Sequence, residues 1–313
     1  MLKILISALL LALSSSAIAQ QTADSLVVGF AQVGSESGWR STFSADMKAE
    51  AKKRGIILKF ADAQQKQVNQ IRAVRAFIAQ RVDAIVIAPV VETGWRPILK
   101  QAQRAAIPVI ILDRNIDADP ALYLTRIASD FVEEGRRVAR WLVQQRPEQC
   151  RIVELQGTVG ATATIDRAKG FNEVIAKHPG LTIVRSQTAE FTRSRGKEVM
   201  ESFLKAEDPS QICALWAHND EMALGAIQAI KEAGLRPAKD ILVVSVDGIP
   251  DYFRAMAEGD ANITVELDPH LGAPTFSVIE RYLQGDSDIA KTIRTTGDVY
   301  TQNTAADEYQ RRR

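Results

Sequence analysis

The stretch that decides the fold runs from Val68 to Arg114. It opens with Val68-Asn-Gln-Ile-Arg-Ala-Val-Arg-Ala-Phe-Ile-Ala-Gln80, where Ile71, Val74, Arg75 and Ile78 recur at helical spacing. Ala84-Ile-Val-Ile-Ala88 follows, then Val109-Ile-Ile-Leu112, which runs directly into the charged pair Asp113-Arg114. A short strand that is apolar at every position buries both of its faces, which is the signature of a parallel sheet covered by helices. The same rhythm extends in both directions. Leu26–Phe30 and Ile56–Phe60 precede the stretch. Leu122–Ala128, Ile152–Leu155, Leu181–Val184, Cys213–Trp216, Ile241–Val246 and Ile263–Val265 come after it, with longer amphipathic segments between them. Strands alternating with helices give an α/β, doubly wound architecture. These ten runs are many for one such sheet, and the chain length of 313 residues suits two domains.

The N-terminus reads as an export signal. Lys3 supplies a positive charge, Ile4 to Leu13 is nearly all apolar, and Ala17-Ile-Ala19 is an A-x-A cleavage site, so the mature chain is expected to begin at Gln20. The competing reading of this run is a membrane anchor, but it is short for a hydrocarbon core of about 30 Å. Lys+Arg total 39 and Asp+Glu 38, so the chain lacks the excess positive charge that phosphate binding requires. Nucleic acid is therefore not an expected partner, and the exported chain is expected to be soluble. Cys150 and Cys213 each stand where an apolar strand begins, in a chain bound for an oxidising compartment. One structural disulfide is the economical reading, with two free buried thiols as the alternative.

Polar residues gather just after the strands: Gln32 with Ser35-Glu36, Asp62, Asp113-Arg114, Gln156, Gln187 with Glu190, Asn219-Asp220, Asp247 and Glu266. Ligands of open α/β sheets bind outside the carboxyl ends of strands. Asp, Asn and Ser also serve there as turn residues and helix N-caps. Two sheets with facing carboxyl ends would make a polar cleft between lobes. Sugar hydroxyls, each both donor and acceptor, call for Asp, Glu, Asn, Gln and Arg, with an aromatic ring against the apolar C–H face. Ser35-Glu36-Ser37-Gly38-Trp39-Arg40 offers that combination at a helix start, and Asp166-Arg167 follows the turn Gly157-Thr158-Val159-Gly160.

Catalytic and cofactor chemistry finds less support. The turn at Gly157 lacks nucleotide-binding spacing, and the chain has no GxSxG, HExxH or CxxC motif. His218 stands beside Asn219-Asp220 without the Cys/His partners of a metal site, so a hydrogen-bonding role is expected of it. Glu36 and Glu266 are the pair a glycosidase reading would need. No enzyme activity, cofactor or metal is expected.

Val28-Gly-Phe-Ala-Gln-Val-Gly-Ser-Glu-Ser-Gly-Trp39, Ile110-Ile-Leu-Asp-Arg114, Leu155-Gln-Gly-Thr158, Ala217-His-Asn-Asp220 and Ser245-Val-Asp-Gly248 resemble the periplasmic sugar-binding proteins of the ribose/galactose type. Gly34-Ser-Glu-Ser-Gly-Trp-Arg40, Glu154-Leu-Gln-Gly-Thr-Val-Gly160 and Ala226-Ile-Gln-Ala-Ile-Lys-Glu-Ala-Gly234 are most similar to the galactofuranose-binding branch. The resemblance implies two lobes joined by three crossovers, near Ser129-Asp130, Glu266 and Gly285-Asp286. Residues 20–129 with 266–285 would form one lobe and 130–265 with 286–313 the other. It implies a galactofuranose or related monosaccharide ligand, an ABC transporter permease as partner and, as a rival role, sensing for chemotaxis. The ligand contacts it implies are Ser35, Glu36, Trp39, Arg40, Asp113, Arg114, Arg167, Asn219, Asp247 and Glu266. Arg167 would reach two neighbouring hydroxyls and, lying in an open cleft, would contribute little to the stability of the free protein.

Overall fold

The computed structural model describes residues 25–146 and 148–313; the expected leader and its cleavage site lie outside them. The first sheet is built from β1 (Val27–Gln32), β2 (Ile57–Asp62), β3 (Ala84–Ile87), β4 (Val109–Leu112) and β5 (Thr125–Ala128). The second takes β6 (Cys150–Gln156), β7 (Leu181–Thr188), β8 (Ile212–Ala217), β9 (Leu242–Asp247) and β10 (Ile263–Glu266). Two short strands near the C-terminus, β11 (Thr292–Arg294) and β12 (Val299–Thr301), complete one sheet each. The spatial orders are β2-β1-β3-β4-β5-β11 and β7-β6-β8-β9-β10-β12, so the two sheets repeat one topology. Every pairing is parallel except that of β12 with β10. Strands β3 and β4 are buried at every residue, as their uniform apolarity requires.

The helices that cover the first sheet are α1 (Gly38–Lys53), α2 (Gln67–Ala79) and α3 (Arg96–Arg104). The second sheet carries α4 (Phe131–Gln145), α5 (Thr162–Ile175), α6 (Arg193–Ala206), α7 (Asp220–Glu232) and α8 (Pro250–Ala257). Helix α9 (Gly272–Leu283) returns to pack on α1, and α10 (Gln302–Arg312) packs on α8. Cys150 and Cys213 form a disulfide between the neighbouring strands β6 and β8, with a Cα–Cα distance of 5.4 Å. It closes a loop of 63 residues, for which the chain-entropy model gives on the order of 4 kcal/mol of stabilisation.

The chain passes between the sheets three times. The first two passages lie at Ser129-Asp130, between β5 and α4, and after Glu266 at the end of β10. The third lies later than expected. Gly285-Asp286 only ends the turn after α9, where Arg281 Nε donates to Asp286 at 2.8 Å, and the chain then adds β11 beside β5. It reaches the second sheet through residues 295–298, so Thr292–Arg294 belongs with the first sheet and not, as expected, with the second lobe. The three passages hold one another. Glu266 N donates to Asp298 O at 2.8 Å, Thr295 N to Ala128 O at 3.1 Å, and Arg294 pairs with Asp130.

Candidate functional site

In each sheet the strand order reverses beside the first strand, between β1 and β3 and again between β6 and β8, and such switch points open a crevice at the carboxyl ends. The two crevices face each other across a narrow cavity lined by residues of both lobes. Helix capping fixes its first wall. Ser37 extends ahead of α1 and its Oγ accepts from Arg40 N at 3.1 Å, which starts the helix so that Trp39 and Arg40 face inward. Trp39 is fixed in turn by a bond from Nε1 to Leu267 O at 2.5 Å. Asp113 leaves β4 with φ 60°, a conformation costly for a side-chain-bearing residue and frequent at functional sites.

These first-wall charges alternate in sign. Arg40 Nη2 lies 2.9 Å from Asp113 and its Nε 3.3 Å from Glu36, while Arg114 Nη2 is 3.7 Å from the same Glu36 oxygen. All four side chains are at most 4% exposed. Burial, assisted by the Arg40 charge, pushes the Arg114 guanidinium down to about 10, so both arginines stay charged at neutral pH. Glu36 Oε2 is buried and has no hydrogen-bond partner among the described residues. The wall is thus nearly neutral in sum yet rich in fixed donors and acceptors.

The second lobe supplies Arg167, Asn219 and Asp247. Arg167 is 2% exposed and already committed on two sides: Nε donates to Glu134 at 2.8 Å and Nη1 to His218 O at 2.6 Å. Its Nη2 has no hydrogen-bond partner among the described residues and stands 3.5 Å from Asp247. Asp247 ends β9 with φ 130°, and burial raises its carboxyl well above the usual range, opposed by Arg167 and reinforced by Asp220. Asn219 does two things at once. Its Oδ1 caps α7 by accepting from Met222 N at 3.0 Å, and its Nδ2 donates to Phe191 O at 3.3 Å.

Eight of the ten residues implied as ligand contacts therefore line one cavity, and two do not. Ser35 is exposed at the loop tip. Glu266 turns to an adjoining groove, where Arg312 Nη2 lies 2.5 Å from its Oε1 and Asp298 N donates to Oε2 at 3.3 Å. The glycosidase pair Glu36 and Glu266 thus does not face one space. His218, as expected, makes a hydrogen bond, its Nε2 lying 3.0 Å from Glu154. Phe191 also lines the cavity and was not legible in the sequence. It has φ 61°, its ring lies 5.1 Å from the Arg114 guanidinium of the other lobe, and it fits only because residue 157 is glycine: a Cβ there would meet the ring at 1.9 Å.

The lobes also touch each other directly. Gly38 N donates to Glu221 at 2.9 Å, Glu92 N to Gly160 O at 2.9 Å, and Asn115 N to Thr162 Oγ1 at 2.8 Å. A cavity walled by two lobes that three chain passages join, with three arginines set among three acidic side chains, has the chemistry of a binding site for a small, uncharged, polyhydroxylated molecule. Residues 28–287 match the family model of the periplasmic binding protein domain, and the chain belongs to that family. It is 52% identical over 313 residues to the galactofuranose-binding protein YtfQ of Escherichia coli (strain K12), covering 99% of this chain and 97% of the relative. Among solved structures, the periplasmic binding protein component of the arabinose ABC transporter from Shewanella sp. ANA-3, bound to α- and β-L-arabinofuranose, superposes with a TM-score of 0.90. It is 69% identical and the match covers 92% of this chain and 95% of that one. A Mycobacterium smegmatis protein in complex with β-D-fucofuranose has a TM-score of 0.88 at 44% identity, covering 90% and 93%.

Proposed function

We propose that this chain is the periplasmic solute-binding component of an ABC sugar importer and that it holds a monosaccharide in its furanose ring form between the lobes. The observation that carries the reading is the lining of the cavity: three arginines and three acidic side chains, drawn from both lobes, converge on one space. Each hydroxyl of a sugar can give to a carboxylate and accept from a guanidinium, and Trp39 and Phe191 offer apolar faces for C–H groups. The sugars of the relatives point to the ring form. Galactofuranose, L-arabinofuranose and fucofuranose share one ring configuration and differ in the group attached to C4. Galactofuranose remains the proposed ligand, with L-arabinofuranose the nearest competitor given the 69% identity to its binder. The importer's permease is the proposed partner of the monomeric, sugar-loaded protein, after removal of the leader.

A binder suits the site better than an enzyme. Glu36 and Asp113 are ion-paired with arginines, Asp247 stands 3.5 Å from Arg167, and Glu266 faces another groove, so Glu36 and Glu266 do not flank one bond. Calorimetric titration with D-galactose, L-arabinose, D-ribose, D-glucose and methyl β-D-galactopyranoside tests the reading, with chromatography of the recovered sugar. Galactose and arabinose should bind and return unchanged, while the pyranoside, locked in its six-membered ring, should not bind. Binding of the locked pyranoside as tight as that of galactose, or conversion of the sugar, would overturn it.

A further inference from the structure

We infer that Glu134 is a positioning residue for ligand recognition: it aims the Arg167 guanidinium into the cavity without reaching the cavity itself. The inference rests on the sugar-binding reading and names a residue outside the set that lines the site. Glu134 lies in the first turn of α4, the helix the chain enters directly after its first passage between sheets. It is 3% exposed, and its Oε2 accepts from Arg167 Nε at 2.8 Å. The pairing is built into the backbone. Helices α4 and α5 approach so closely that a Cβ on Gly135 would lie 2.1 Å from Arg167 O, and one on Gly170 would lie 1.8 Å from Val132 O. Two glycines thus set the distance from which a glutamate on one helix reaches an arginine on the other.

Three contacts then leave the guanidinium one free edge. Glu134 takes Nε, His218 O takes Nη1, and the Phe131 ring, 5.2 Å from the guanidinium carbon, covers a face. Nη2 is the guanidinium nitrogen left without a hydrogen-bond partner among the described residues. Removing the carboxylate charge frees the guanidinium to turn toward Asp247, 3.5 Å away, so the donor offered to a hydroxyl is lost while the fold remains. Each neighbouring charge pair in the other lobe is complete without Glu134, so the effect is confined to the hydroxyl that Arg167 reads.

The test compares Glu134→Gln, which keeps the shape, in two backgrounds: the parent protein and Arg167→Met. With D-galactose or L-arabinose as probe, Glu134→Gln should weaken binding about tenfold in the parent, the size expected for one hydrogen bond to a charged group. In the Arg167→Met background it should change affinity by less than about twofold, because residues that act through one another are not additive. Equal losses in both backgrounds would overturn the inference in favour of a purely structural role. A second readout needs no sugar. The Arg167 Nε–H NMR signal, assigned by its absence from Arg167→Met, should shift and exchange faster with water in Glu134→Gln; an unchanged signal would overturn the positioning role. Failure of the parent to bind any sugar of the panel would instead count against the sugar reading, and the Nε–H signal would still decide the role of Glu134.

Discussion

Arg167 shows what burial does to a binding residue. Placed in an open cleft, it would matter only to the ligand. The structure puts it 2% exposed and ion-paired with Glu134, so its removal strands a buried carboxylate. Arg167→Ala should therefore lower affinity by roughly 1.5–3 kcal/mol, about ten- to a hundredfold, and should also lower the melting temperature of the free protein. Differential scanning fluorimetry and calorimetric titration of the same sample check both; a variant with unchanged melting and unchanged affinity would contradict the assignment. Nε and Nη1 each already donate within the protein, so the two hydrogens of Nη2 are the donors turned to a ligand. Asp113-Arg114, Asn219 and Asp247 were legible at this scale because they follow strands or cap a helix, whereas Arg167, inside α5, was named through the resemblance. Phe191, Glu134 and Leu267 carry no such mark. Phe191 is placed by a glycine 34 residues earlier, and Leu267 contributes its backbone oxygen to Trp39.

Among elements, the strands most readable in the sequence were those buried on both faces. Val109–Leu112 matches β4 to the residue, and Ala84–Ala88 differs from β3 by one. Strands β11 and β12 were missed because each has three residues and none is buried, which leaves no apolar pattern to detect. That omission moved the expected third passage from residues 295–298 to Gly285-Asp286. The N-terminus of α1 has a second partner that sequence did not suggest. Glu221, on α7 of the other lobe, accepts from Gly38 N at 2.9 Å and is itself held by Arg193 at 2.7 Å. A carboxylate docked on a helix N-terminus contributes about 0.5–1 kcal/mol. The contact exists only when the lobes meet, so Glu221→Ala should weaken sugar binding about two- to fivefold through faster dissociation, with the ranking of sugars unchanged. Stopped-flow measurement of association and dissociation checks this, and an unchanged dissociation rate would contradict it.

At the scale of the molecule, binding and closure are one equilibrium. The first lobe holds Glu36, Trp39, Arg40, Asp113 and Arg114, and the second holds Arg167, Phe191, Asn219 and Asp247. A ligand that touches both sets stabilises the arrangement in which they face each other, because only there are all contacts available at once. The strand order shared by the two sheets brings equivalent carboxyl ends together, and the disulfide between β6 and β8 ties two strands of the lobe that carries Arg167 and Asp247. The central claim is that this cavity selects a five-membered sugar ring. Free galactose is mostly pyranose in water, so selection must draw a minor form out of the mixture. Carbon-13 NMR of D-galactose labelled at C1, added below the protein concentration, reads the ring form of the bound sugar directly. The account predicts that the pyranose signals disappear as protein is added and that the bound anomeric carbon resonates in the furanose region. A bound sugar whose anomeric carbon stays in the pyranose region would contradict it.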